Sequence, residues 1–218
     1  MTDYFLGLDL GQAADWSALA VLERTEPLDD EHRGWSLACR GLKRWPLGTS
    51  YPAIVDAVAE LVAKPPLRYS RLVIDGTGVG RPVVDMFAYA GLPVQLVPVL
   101  ITAGNKHTYE DDGYHHVAKV ILISTVVVQL QERRLRFARS LPETKTLVKE
   151  LQNYRVKITP AANEVFNARD GAHDDLLLAL ALACWDGERY PRASSCGPVV
   201  LSPGKQDAYF GDAYAGAW

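Results

Sequence analysis

Three acidic positions, each beside an apolar run, bear the chemistry this chain can do. Asp9 ends Phe5-Leu6-Gly7-Leu8-Asp9, Asp75 ends Leu72-Val73-Ile74-Asp75, and Asp174-Asp175 stand just ahead of the apolar run from Leu176 to Trp185. A carboxylate in such surroundings is costly to bury unless something positive neutralises it. Hard oxygen ligands of this kind suit Mg²⁺ or Mn²⁺. Two such ions about 4 Å apart stabilise the attacking and leaving oxygens of an in-line phosphoryl displacement. In that arrangement Asp9 is the natural bridge between two ions, Asp75 binds one, and Asp174 or Asp175 closes the site on the other. Each position also has a plainer reading: acidic residues at a helix N-terminus cap it, and Asp9-Leu10-Gly11 and Asp75-Gly76-Thr77-Gly78 read as turns. The set of three is more specific than any one member.

The elements that position these residues follow from pattern. Tyr4–Leu10, Ser17–Glu23 and Trp35–Leu42 read as a three-strand antiparallel meander. Ser50-Tyr51-Pro52 opens a helix, with Ser50 in the capping position and Pro52 in the first turn; Ile54, Val55, Val58, Leu61 and Val62 form its apolar stripe. Arg71–Asp75 is nearly all apolar, as a parallel strand buried on both faces must be. A helix follows from Arg81 to Tyr89, ended by Gly91, then a buried strand from Pro93 to Pro98. Residues 101–116 read as a long polar loop. Val117–Gln131 and Glu143–Gln152 read as helices, and Tyr154–Thr159 and Glu164–Asn167 as a small hairpin. His173–Trp185 is apolar on every side, so it reads as a buried closing helix. The fold class is therefore α/β: a mixed central sheet, an antiparallel three-strand meander plus parallel strands, flanked by helices. Right-handed crossovers make the first strand and the strand at 71–75 neighbours, with Asp9 and Asp75 side by side at one sheet edge.

Other residues have weaker claims. His173, Lys119 and Thr102 are auxiliary candidates near the acidic set, and Lys106 can touch phosphate, although each also fits a solvated loop or cap. Arg133, Arg134, Arg136, Arg139, Lys145, Lys149, Arg155 and Lys157 form a basic stretch that can track a phosphate backbone or simply face water. Gly76-Thr77-Gly78-Val79-Gly80-Arg81 lacks the Lys-Ser/Thr pair of a phosphate-binding Walker loop, which argues against an independent ATPase of that type.

Bulk properties set limits. Apolar residues make up 48% and charged residues 22% of the 218, an ordinary globular composition. The net charge of −3 argues against duplex binding through overall basicity. Cys39, Cys184 and Cys196 are odd in number and match no zinc spacing. The N-terminus has no basic stretch of a signal peptide, and Val117–Leu130 is too short to span a bilayer. A cytoplasmic protein with no membrane contact is expected. Residues 1–190 form one domain and 191–218, rich in Pro, Gly and Ser, a flexible tail.

The motifs bear a family resemblance. Gly7-Leu8-Asp9-Leu10-Gly11 with Asp15-Trp16-Ser17-Ala18 resembles the first-strand motif of the nuclease domain of tailed-phage large terminases. Val73-Ile74-Asp75-Gly76-Thr77-Gly78-Val79-Gly80 is similar to their second acidic motif, Ile101-Thr102-Ala103-Gly104 to the Thr-x-Gly element after the next strand, and Gly171-Ala172-His173-Asp174-Asp175 with Ala179-Leu180-Ala181 to the closing helix motif. The resemblance covers roughly residues 4–187. It implies a ribonuclease H-like fold and a two-metal endonuclease that cuts concatemeric viral DNA during genome packaging. By motif position it implies Asp9, Asp75 and one of Asp174 and Asp175 as ligands of two Mg²⁺ or Mn²⁺ ions, with Asp175 favoured as essential. Implied partners are double-stranded DNA and a packaging ATPase, small terminase subunit or portal, the nuclease domain itself being a monomer. The family's N-terminal ATPase has no counterpart in these residues, as expected of an isolated domain or a separately encoded nuclease. Two other readings remain open: a Holliday-junction resolvase of the same fold, and an actin- or sugar-kinase-like ATP-binding domain, although such folds need two domains.

Overall fold

The computed structural model describes residues 3–11, 15–25, 35–158, 164–167 and 173–191, with the backbone alone for 155–158 and 164–167. Strands β1 (Asp3–Asp9), β2 (Ala18–Thr25) and β3 (Ser36–Arg44) form the expected meander. Then come α1 (Tyr51–Val62), β4 (Arg71–Asp75), α2 (Arg81–Tyr89), β5 (Gln95–Thr102), β6 (His107–Tyr109), β7 (His115–Ala118), α3 (Lys119–Gln131), β8 (Leu135–Phe137), α4 (Thr144–Asn153), β9 (Arg155–Ile158), β10 (Glu164–Asn167) and α5 (Asp175–Arg189). Eight strands make one mixed sheet in the order β6-β7-β5-β4-β1-β2-β3-β8, and β9 and β10 pair separately as an antiparallel hairpin.

Helices cover both faces of the sheet. Leu6, Leu8, Leu72 and Ile74 pack with Ile54, Val58 and Phe87 of α1 and α2 on one side. Phe5, Val73 and Ala20 pack with α3, α4 and α5 on the other. Because side chains alternate along a strand, Asp9 shares its face with Phe5 and Gly7, and Asp75 with Val73. Both carboxylates therefore face α5. Gly7 is what lets α5 come so near: a Cβ there would lie 2.0 Å from the Ala179 carbonyl oxygen. That contact sets the height at which the first turn of α5 arrives above the strand ends.

Several expectations need correction. Residues 101–116 are not one loop. β5 continues to Thr102, and His107–Tyr109 with His115–Ala118 forms an antiparallel hairpin whose second strand pairs in parallel with β5. β6 is exposed, and in β7 only Val117 and Ala118 are apolar and buried while His115 and His116 are half-exposed, so backbone pairing at the sheet margin, more than an apolar pattern, makes it a hairpin. β8 lies inside what reads as a basic stretch and pairs in parallel with β3. Ser50 occupies the N-cap of α1, but its side chain makes no capping hydrogen bond. The segment expected as a tail lies, from residue 192 on, outside the described residues. No helix among those described is long and apolar enough to cross a membrane.

Candidate metal centre

Leu8 of β1 pairs with Ile74 of β4, so Asp9 and Asp75 are the next residues on adjacent parallel strands, about 4.8 Å apart at the backbone. Both are buried, at 8% and 6% exposure. Asp75 ends its strand and accepts the Thr77 N–H at 2.8 Å, while the Thr77 hydroxyl accepts the Ile101 N–H at 2.7 Å. The turn after β4 is thereby tied to β5, and Gly78 within it has φ +81°, a conformation in which glycine is unstrained.

The closing helix brings the third acidic position. Asp174 sits at the N-cap of α5 and Asp175 is its first residue, yet neither side chain caps the helix. The Lys119 ammonium instead donates to Asp174 Oδ2 at 2.8 Å, and Arg44 Nη2 donates to Asp175 Oδ2 at 2.5 Å. Capping therefore does not account for this pair. Asp9, Asp15, Asp174, Asp175, His173, Thr77 and Gly78 line one cavity of about 280 Å³.

Burial is the first cause of raised proton affinity in the cleft, and neighbouring carboxylates add to it at Asp9 and Asp175. Burial, then the charges of Asp75, Asp175 and Asp174, push the Asp9 carboxyl well above its ordinary range, with Lys119 opposing. Burial raises Asp75 to about 6, against the pull of the Thr77 hydrogen bonds and Lys119. Burial also raises Asp175, although Arg44 lowers it. Among the described residues no three His, Cys, Asp or Glu side chains converge on a single point as a finished cage; Asp174 and Asp175 are paired with Lys119 and Arg44. The donor set is nevertheless all oxygen, buried and under-neutralised, which fits a hard divalent cation and not a soft one.

Sequence-derived site residues divide into two groups. Asp9, Asp75, Asp174, Asp175, His173 and Lys119 gather at one edge. Thr102 ends β5 at that edge, and Lys106 is nearby, its carbonyl accepting the Ala118 N–H at 2.9 Å. Arg133, Arg134 and Arg136 do not gather there. Leu135 and Arg136 pair with Leu37 and Ala38 at the start of β3, whereas Arg44 at its end is level with the carboxylates. Six residues of strand separate the two places, about 20 Å. Arg134 is moreover buried and donates to Glu188 at 2.8 Å, Glu132 at 2.6 Å and the Trp35 carbonyl at 2.9 Å. It is a structural ion pair and not an exposed phosphate contact, which corrects its assignment to a nucleic-acid face. Arg44 and Glu150 went unnoticed in the sequence, where each reads as an ordinary charged residue at a strand end and on a helix.

No family model matches the chain. It is 28% identical over 180 residues to the large terminase subunit of Thermus phage G20c, covering 83% of this chain and 31% of that protein. The chain thus spans about a third of the length of the curated relatives it matches. The magnesium-bound crystal structure of the large terminase nuclease from the same thermophilic phage superposes with a TM-score of 0.60 at 24% identity, over 84% of this chain and 80% of that one. The manganese-bound large terminase nuclease domain of bacteriophage SPP1 gives 0.51 at 12% identity, over 83% and 84%. The resemblance first visible in the acidic motifs therefore holds: the chain is similar in sequence to large terminase subunits and has the ribonuclease H-like fold of their nuclease domains.

Proposed function

We propose that this chain is a metal-dependent DNA endonuclease, of the kind that cuts concatemeric viral DNA in the host cytoplasm during packaging. The observation that carries the reading is the juxtaposition of buried Asp9 and Asp75 on adjacent strand ends, with Asp9, Asp174 and Asp175 lining one cavity. Relatives named as large terminase subunits, and nuclease structures of the same fold with bound magnesium and manganese, support it.

In this reading Asp9, Asp75 and Asp175, with Asp174 beside them, hold two Mg²⁺ or Mn²⁺ ions. Bound divalent cations supply positive charge at the attacking and leaving oxygens of an in-line phosphodiester displacement. Asp9, next to Asp75 on the sheet and lining the cavity with Asp174 and Asp175, would be the carboxylate both ions share. Thr77 fixes the rotation of the Asp75 carboxylate through its N–H. Lys119 holds Asp174 and offsets the charge of the cleft. Burial of the carboxylates excludes water from their inner faces and strengthens every interaction made there. Scission leaves a 3′-hydroxyl. The substrate is double-stranded DNA, and coupling to a packaging ATPase belongs to the larger assembly.

The test is incubation of the purified chain with supercoiled plasmid. Nicked and linear products are expected with Mn²⁺ or Mg²⁺ and none with excess EDTA, and Asp75→Asn is expected to be inactive although folded. Cleavage undiminished by EDTA would falsify the metal-dependent reading.

A further inference from the structure

Arg44 stands where two buried carboxylates compete for one guanidinium. It ends β3, and its Nη2 donates to Asp175 Oδ2 at 2.5 Å. The same nitrogen is 3.8 Å from Glu150 Oε1 on α4, beyond hydrogen-bond range. Glu150 is 6% exposed. Its Oε2 accepts the Leu177 N–H at 2.9 Å, while Oε1 is buried without a hydrogen-bond partner among the described residues. Leaving a carboxylate oxygen in that condition is costly. Arg44 Nε is also buried without a partner among those residues, so that donor does not tie the guanidinium down. The Trp16 ring centroid lies 4.6 Å from the guanidinium carbon, a cation–π contact that does not require one fixed hydrogen-bond partner.

We propose that Arg44 is a resident stand-in for a divalent cation at Asp175, and that Glu150 is the acceptor to which it withdraws when such a cation enters; the inference rests on the metal-dependent reading above. In the metal-free protein Arg44 neutralises Asp175 and keeps its carboxylate ordered at the mouth of the cleft. A divalent ion at Asp175 satisfies that carboxylate and repels the guanidinium. A slide of about 1 Å then brings Nη2 within hydrogen-bond range of Glu150 Oε1. Arg44 and Glu150 are thus positioning residues that make Asp175 available to metal. Neither is assigned contact with the scissile phosphate.

Mn²⁺ binding by the full chain without DNA, followed by loss of the free-ion EPR signal, provides the test. Arg44→Met is expected to bind Mn²⁺ roughly tenfold more tightly, the equivalent of one charged hydrogen bond no longer broken. Glu150→Gln is expected to bind it several-fold more weakly. Simple through-space charge predicts those signs too, so the double variant decides. In the Arg44→Met background Glu150→Gln should change affinity by less than about twofold. Equal weakening in both backgrounds overturns the proposal, as does Arg44→Met without tightening. Should Arg44→Met fail to fold by circular dichroism, the guanidinium ¹⁵N–H signal of Arg44 in the unmodified protein decides between the same outcomes. It is expected to shift with the midpoint of Mg²⁺ binding, and a stationary signal defeats the exchange. A wild-type chain that binds no Mn²⁺, or binds it equally well as Asp9→Asn, defeats the nuclease reading instead.

Discussion

At its C-terminal end α5 carries Asp186, fully buried, with the Arg71 guanidinium bonded to both carboxylate oxygens at 2.5 and 3.0 Å and Arg189 adding a third contact at 3.2 Å. Arg24 alongside donates to the Gly187 and Tyr190 carbonyls at 2.8 and 2.6 Å and to Asp3 at 2.6 Å. At its N-terminal end the same helix, over the same sheet face, brings Asp174 and Asp175 to Asp9 and Asp75. There burial and then the neighbouring carboxylates raise the proton affinity of Asp9, and the two cations at hand are already engaged, Lys119 by Asp174 and Arg44 by Asp175. Both ends bury acid. One end is closed by arginines that the fold itself supplies, so its charges serve stability. The other lacks enough positive charge, so its charges favour a proton or a cation from outside. A buried carboxylate does not by itself mark a function; the missing partner does.

The sharpest way to break this contrast is to remove one charge from each end. Asp9→Asn is expected to lower Mn²⁺-dependent plasmid cleavage by at least about a thousandfold, while the melting midpoint of the metal-free protein holds or rises. Cleavage within tenfold of wild type would remove Asp9 from the proposed metal-binding set. Arg71→Met should do the reverse. It leaves Asp186 buried with the Arg189 contact alone, a loss of about 3–5 kcal/mol of stability measurable by urea unfolding, with the rate per folded molecule unchanged. Adding Asp186→Leu to that variant should recover most of the loss, since a well-packed apolar pair often replaces a buried ion pair without cost.

The acidic end proposed as a metal centre was more legible in the sequence than the fold around it. Asp9 and Asp75 follow short runs apolar on both faces, and only a central parallel strand buries both faces, so their adjacency follows from connection order. The all-round apolarity of Leu176–Trp185 likewise marks a helix packed on the sheet. What stayed hidden depends on partners distant in the chain. The β6–β7 hairpin has too few apolar side chains, Val117 and Ala118 alone being buried, to show as a strand pattern, and it forms along the backbone edge that β5 offers. β8 has three residues, Leu135-Arg136-Phe137, too few for alternation to stand out from the arginines around it. The Arg44–Asp175–Glu150 cluster joins a strand end, a helix start and another helix, and nothing local in any of them announces the others.

Proton linkage sharpens the contrast further. Folding raises the Asp75 carboxyl from 3.8 to about 6, so the native state keeps this proton at pH values where the unfolded chain has released it. Stability of the metal-free protein should therefore fall as pH rises across that window and level off above it. The expected loss is on the order of 1–3 kcal/mol, and Asp9, raised for the same cause, contributes with the same sign. Urea unfolding in EDTA between pH 4 and 8 measures the slope. Asp75→Asn should reduce it, whereas Arg71→Met should leave the slope in place on a lower baseline. A slope that survives in both Asp75→Asn and Asp9→Asn would place its origin elsewhere.

The smallest effect is expected at Arg136. The residue is exposed on β8, and its charge makes it a natural choice for a DNA contact when the sequence is read alone. Yet it pairs with Ala38, about 20 Å along the sheet from the carboxylate edge. At that distance, twice the Debye length at ordinary ionic strength, its charge is largely screened from the cleft. Lys106, whose carbonyl is bonded to the residue just before Lys119, is on the carboxylate side. Plasmid cleavage at 0.1 M salt should thus change by less than about twofold in Arg136→Ala and more in Lys106→Ala. If Arg136→Ala lowered cleavage the more, the duplex would have to run across the sheet toward β8, and the functional face would extend into the end assigned here to stability alone.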